Sequence, residues 1–153
     1  MENTLVILKP STIQRQLIGE IISRFEKKGL LLSGIKMVWL ADNILNEHYA
    51  HLKNKPFFEQ VKKSMKATPV IACCWTGKNA VSVVRAMAGS TNGREALPGT
   101  IRGDYSVSVQ ENIIHTSDSI ETAIVELKRF FKEEELFSYQ LNLRSSIYAN
   151  EEI

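Results

Sequence analysis

Two apolar runs, "NTLVILK" at 3–9 and "LLLSGIKMVWL" at 30–40, bracket a segment whose apolar side chains recur every four positions. Both runs are rich in aliphatic residues and read as strands, the second long enough to hold a bulge. Between them Ile13, Leu17, Ile21 and Phe25, widened by Ile18 and Ile22, form the stripe of an amphipathic helix. Pro10 stops the first strand, and Ser11 or Thr12 is placed to cap the helix. Gly29, behind Lys27 and Lys28, ends it. Strand, helix and strand in immediate succession commit the chain to a sheet with helices laid against it.

The alternation continues. Asp42 can cap a short helix around 43–51, and Pro56 opens another carrying Phe57, Phe58, Val61 and Met65. "PVIACCW" at 69–75 has the unbroken apolarity of an interior strand, and 78–89 reads as a helix closed by Gly89. Residues 90–106, "STNGREALPGTIRGDYS", are full of turn formers and read as a long structured loop, of the kind that carries function. Residues 106–114 read as a strand. Asp118 or Ser119 then caps a helix over 119–131, with Ile120, Ala123, Ile124, Leu127 and Phe131 on one side. The predicted fold is α+β: a ferredoxin-like βαββαβ sandwich, with a four-stranded antiparallel sheet and helices on one face. Neither a repeat nor a linker divides the chain, so 1–153 is read as one domain. In the tail from 132 to 153, "FSYQLNLRSSIY" has apolar side chains enough to settle on the rest of the chain or on a neighbouring subunit.

Composition narrows the function classes. A chain of 153 residues, 44% of them hydrophobic, can build a core without disulfides or a structural metal. A net charge of +2 is too small for a protein whose main partner is nucleic acid. The densest basic run, "VKKSMK" at 61–66, reads as a solvated helix face. Cys73 and Cys74 are adjacent, so on a strand they point to opposite faces; buried, reduced thiols of this kind fit a cytoplasmic protein. "MENTLVILKPS" resembles neither a signal peptide nor a membrane span, so no membrane association is expected.

Of three histidines, His48 and His51 flank Tyr49 in a short helix and are assigned surface or structural roles. His115 differs. It stands between a strand and a helix start, beside the turn-rich loop. There it is either a satisfied edge histidine or a nucleophile tethered through its other ring nitrogen by a carboxylate. Glu126 and Glu121, both on the following helix, compete for that place. A phosphoryl acceptor would need cations around it, and Lys9, Arg85 and Arg102 lie at element ends or in the loop. Each alone reads more often as a plain surface cation. Neither a Walker pattern nor GxGxxG is present, which leaves a covalent route through histidine as the alternative to a P-loop.

These motifs together resemble the nucleoside diphosphate kinase family. "NIIHTSDS" at 112–119 is similar to its active-site signature, "LKPSTIQR" at 8–15 to its N-terminal motif, "EHYAHLKNKPFF" at 47–58 to its helical hairpin and "PGTIRGDY" at 98–105 to its loop. The resemblance spans about residues 3–148. It implies that His115 is phosphorylated and that Glu126 orients it with Ser117 as intermediary. Lys9, Tyr49, Arg85, Thr91, Arg102 and Asn112 would surround phosphates and ribose, and Phe57 and Val109 would hold the base. Without the resemblance, Phe57 reads as a core aromatic, Thr91 as a turn residue and Tyr49 as a solvent-facing one. It further implies magnesium bridging phosphate oxygens, with no protein residue assigned as its ligand, and nucleoside tri- and diphosphates as substrates. A homohexamer or homotetramer built from dimers is also implied. Five positions depart from the family: Ser11-Thr12 replaces Asp-Gly, Thr76 an acidic residue, Gly93 a proline expected to make the loop stiffer, and Thr116 a glycine. The competing class is a non-catalytic ferredoxin-like module binding nucleotide or single-stranded nucleic acid; under the enzyme reading, nucleic acid is at most a secondary partner.

Overall fold

The computed structural model describes residues 1–142 and 144–152. Among them a sheet forms from β1 (Glu2–Leu8), β2 (Leu31–Val38), β3 (Val70–Gly77) and β4 (Ile114–Thr116), in the order β2-β3-β1-β4 with all pairs antiparallel. This is the strand order of the ferredoxin-like plan. The two crossover helices of that plan, α2 (Ile18–Lys28) and α5 (Ala80–Ala88), share one face. Val6, Leu8, Cys73 and Trp75 meet Ile21, Phe25 and Val84 there. Helices outside the plan cover the second face: α3 (Asp42–His48), α4 (Phe58–Met65) and α7 (Ile120–Phe130) lie over Leu5, Ile7, Ala72 and Cys74. The strand alternation thus sends the two cysteines into opposite cores, both free thiols.

Three local expectations need correction. The first helix is broken in two, α1 (Pro10–Gln14) and α2, because Gln16 takes the left-handed conformation at φ 56°. Neither Ser11 nor Thr12 caps it; Lys9 holds that position, and the Thr12 hydroxyl donates to the Ile113 carbonyl at 2.5 Å. The strand expected over 106–114 exists only from Ile114. Ser106 and Ser108 bind local backbone instead: the Ser108 hydroxyl accepts from the Gln110 and Glu111 amides, and Ser106 donates to the Glu111 carbonyl. Such side-chain bonds compete with a ladder, and Ile113 at φ 76° turns the chain out of extended geometry.

The helix after β4 buries Ala123, Leu127 and Phe131 as predicted, but not its two isoleucines. Ser119, accepting from the Thr122 amide, caps α7 as expected. The buried residues are Ala123, Glu126, Leu127 and Phe130, while Ile120 and Ile124 are about half exposed. A glutamate has taken the place of an isoleucine on the inward stripe. In the tail, the Phe137 amide and the Tyr139 hydroxyl donate to the Ser33 and Leu32 carbonyls, so it settles on the β2 edge of its own chain. The loop from 90 to 106 is structured and carries a short helix, α6 (Ile101–Tyr105). Arg24 ties it down through Asp104 at 2.7 Å and the Tyr105 hydroxyl at 3.1 Å.

Candidate active site

Because β4 is an edge strand, His115 stands at the rim of the sheet, opposite Ile7 of β1. The chain turns at Ser119 and returns as α7 across the same face. This brings Glu126, on its second turn, back over the strand that precedes it. His115 Nε2 lies 2.9 Å from Glu126 Oε1, and the Ser117 hydroxyl donates to Glu126 Oε2 at 2.6 Å. Glu121, the other candidate, is exposed on α7 and makes no contact with the ring. Burial pushes the Glu126 carboxyl up, but the bonds from His115 and Ser117 and the nearby imidazoles outweigh it and hold the carboxyl below its usual value. A carboxylate only accepts. His115 therefore carries its proton on Nε2, and Nδ1 keeps a free lone pair.

The ring lines a cleft of about 960 Å³ that also receives Lys9, Tyr49, Phe57, Arg85, Thr91, Arg102, Val109, Asn112 and Glu126. Ser117 is fully buried behind it. Lys9 Nζ donates to Asn112 Oδ1 at 2.6 Å and to the Gln110 carbonyl at 3.2 Å; the Asn112 amide donates to the Thr91 carbonyl at 3.0 Å. Burial, with Arg102 nearby, lowers Lys9 to about 8. Arg102 is buried and donates to the carbonyls of Gly89, Asn112 and Ile114, which fixes its guanidinium while leaving two of its five N–H groups. Burial and the Arg85 charge lower it to about 10. Arg85 is paired with Asp118 at the rim. Tyr49, far from facing solvent, is 7% exposed and its hydroxyl has no partner among the described residues. Burial raises its pKa. Phe57 and Val109 are 43% and 49% exposed, so neither belongs to the core: both stand open at the mouth.

The cleft thus holds one free imidazole lone pair, the four cations Lys9, Arg85, Arg102 and Arg129 and an orphaned buried hydroxyl. At its mouth it offers apolar surfaces. Such a set receives an anionic tail carrying a flat apolar group.

Sequence reasoning missed His48. It is buried, with its ring edge-on to His115 at 4.5 Å between centroids and 77° between planes. Burial, with His115 adding to it, drives it down to about 3, so it is neutral. The spacing of Leu45, His48 and Tyr49 on one face of a helix was the available signal. His51 is exposed, as expected.

His48, His115 and Glu126 each offer a ligand atom within 4.8 Å of one another, a set able to hold a metal. Two imidazoles suit a borderline cation such as zinc better than magnesium, which takes oxygens.

The family model described as nucleoside diphosphate kinase matches residues 2–136. The chain is similar to the nucleoside diphosphate kinase of Parabacteroides distasonis, 68% identical over 152 residues and 99% of each chain. It is also similar to that of Pyrococcus horikoshii, 50% identical over 141 residues and 90% of each. Among solved structures, the halophilic nucleoside diphosphate kinase from Halobacterium salinarum in complex with CDP superposes with a TM-score of 0.94 at 38% identity, covering 96% of this chain and 98% of that one. The enzyme from Encephalitozoon cuniculi gives 0.92 at 42% identity, covering 97% and 100%.

Proposed function

The chain belongs to the nucleoside diphosphate kinase family, and from that premise we propose that His115 carries the phosphoryl group between nucleotides. The enzyme is a phosphotransferase that moves the γ-phosphoryl group of a nucleoside triphosphate to a nucleoside diphosphate. The observation that supports His115 as the carrier is its contact with Glu126, which occupies Nε2 and leaves Nδ1 unprotonated.

In the first half-reaction Nδ1 attacks the γ-phosphorus in line. The N–P bond forms as the bond to the β,γ-bridging oxygen breaks, and the nucleoside diphosphate leaves with that electron pair. The imidazole becomes positively charged, and Glu126 stabilises it through Nε2–H. Lys9, Arg85, Arg102 and the unpartnered Tyr49 hydroxyl meet the phosphate oxygens as charge shifts between them. Thr91 and Asn112 position the tail and ribose. Phe57 and Val109 sandwich the base, and stacking without base-edge hydrogen bonds admits purines and pyrimidines alike. The second half-reaction reverses the first with a different diphosphate, so one site serves both.

Magnesium enters in this reading with the nucleotide, as part of the substrate. The lining supports this: Lys9, Arg85 and Arg102 would repel a resident cation, and the Glu126 oxygens are already bonded. Self-association from dimers is likewise part of the proposal. Ile35 and Met37 alternate along the outer strand β2 and Trp39 follows just past its end; they are 48%, 58% and 63% exposed, which favours a face covered by another copy. Among the described residues no helix is long and apolar enough to cross a membrane, and the cytoplasm, where nucleotide pools are balanced, is the proposed location.

The test is labelling. With γ-labelled ATP and magnesium but no acceptor, the protein gains a label stable to alkali and lost in acid, and CDP or GDP removes it as triphosphate. Retention of the label in His115→Ala, or its absence from the unsubstituted chain, overturns the proposal.

A further inference from the structure

Two imidazole nitrogens address the same carboxylate oxygen. Glu126 Oε1 lies 2.9 Å from His115 Nε2 and 3.5 Å from His48 Nδ1, while Oε2 is occupied by Ser117. A proton on His48 Nδ1 would make that ring a second donor to Oε1, in competition with His115. What decides the matter is Arg129, one helical turn beyond Glu126. Its Nη1 lies 3.3 Å from the same His48 Nδ1. A guanidinium only donates and does not lose its proton, so Nδ1 must accept and the His48 proton must sit on Nε2. We propose that Arg129 is a positioning residue: by donating to His48 Nδ1 it locks His48 in the Nε2–H tautomer and reserves the Glu126 oxygen for His115.

The fate of the other nitrogen strengthens the inference. His48 Nε2 is buried and without a partner among the described residues. Left alone, the ring would move its proton to Nδ1, where Glu126 accepts, and would escape an unsatisfied buried donor. The Nε2–H tautomer therefore runs against the ring's own preference and needs an external donor. Arg129 is equipped for that. Its side chain is 11% exposed, and its Nε donates to Glu47 Oε1 at 2.8 Å, so its reach is fixed from α3 as well as α7. Glu47 and His48 are neighbours on α3; Glu126 and Arg129 are neighbours on one face of α7. The four form a closed set between two helices. His115 is the group that gains from it, since its Nε2–H keeps an undivided acceptor when the ring becomes charged on phosphorylation.

This rests on His115 being the phosphoryl acceptor, so the test has a readout that does not need turnover. In ¹⁵N-labelled free protein, two-bond proton–nitrogen spectra report which ring nitrogen bears the proton. Unsubstituted protein is expected to show His48 as Nε2–H; in Arg129→Met it becomes Nδ1–H. Phosphohistidine formation is expected to slow on the order of tenfold in that variant. Arg129→Lys, which still can only donate, restores the tautomer and part of the rate. In a His48→Phe background Arg129→Met has no further effect, which a purely structural role for Arg129 would not produce. The proposal is overturned if the His48 tautomer is the same with and without the guanidinium, or if Arg129→Met slows both backgrounds equally. A tautomer switch in a chain that never forms phosphohistidine would instead overturn the functional reading and leave the lock standing.

Discussion

Glu126 does its work as a charge held against burial, and replacing it with a neutral amide of the same shape isolates that charge. Glu126→Gln keeps an acceptor for His115 but withdraws the anion that balances the ring after attack. Single-turnover phosphorylation of His115 is expected to fall on the order of a hundredfold, with far-UV circular dichroism unchanged. Lys9 gives a second prediction at this scale. Its pKa is lowered by burial from 10.5 to about 8, so in the free enzyme it loses charge just above neutrality. kcat/KM, which reports the free enzyme, should fall as pH rises through about 8, and Lys9→Arg should abolish that limb. The stability effect has the opposite sense. Between 8 and 10.5 the unfolded chain holds a proton that the folded one has released, so the Lys9 contribution to stability grows as pH rises. Most of these residues were legible in the sequence through the resemblance, but their state was not. That Tyr49 is buried, that Arg102 is bound to three carbonyls and that His48 joins the site depend on contacts between segments distant in sequence.

At the scale of elements, α7 shows how a pattern can be right in period and in most of its face yet shifted at one edge. The sequence places Ile120 and Ile124 inward because they are apolar. The helix instead turns Glu126 inward, where His115 and Ser117 meet its charge, and leaves both isoleucines about half exposed. A functional carboxylate has overridden the hydrophobic stripe. The helix still begins where the sequence says, at Ser119, and Ser119→Ala should destabilise the protein by about 1 kcal/mol in urea unfolding with the slope unchanged. The loop at Gly93 was harder to read. Where the family commonly has proline, the expectation is a looser turn, yet the Gly93 amide donates to the Ser108 carbonyl at 3.2 Å. A Cβ there would come within 2.4 Å of the Ser106 carbonyl oxygen. Gly93→Pro removes the donor and adds the clash, so the substitution that resembles the family should destabilise this chain, by about 2 kcal/mol in the same measurement.

For the molecule as a whole, the site's placement decides how stability follows pH. The sheet has helices on both faces, and the His115 ring sits at the rim where α3 and α7 cross the second face. That crossing buries His48, leaving it 6% exposed. Its pKa falls from 6.5 to about 3 on folding, so below 6.5 the unfolded chain takes up a proton that the folded chain refuses. The contribution is fully present above 6.5 and is lost as pH falls toward about 3. The slope this implies is about 1.4 kcal/mol per pH unit once the unfolded ring is protonated. Glu126, held below its usual carboxylate value, adds loss in the same direction only at lower pH, beneath 4.5. The two are therefore separable. Denaturant midpoints of the unsubstituted protein should decline steadily between pH 6 and 5, above the carboxylate range, and His48→Phe should flatten that decline while leaving the fall below 4.5 in place. A decline between pH 6 and 5 that persists unchanged in His48→Phe would mean that some other group, and not this ring, carries the proton uptake on unfolding.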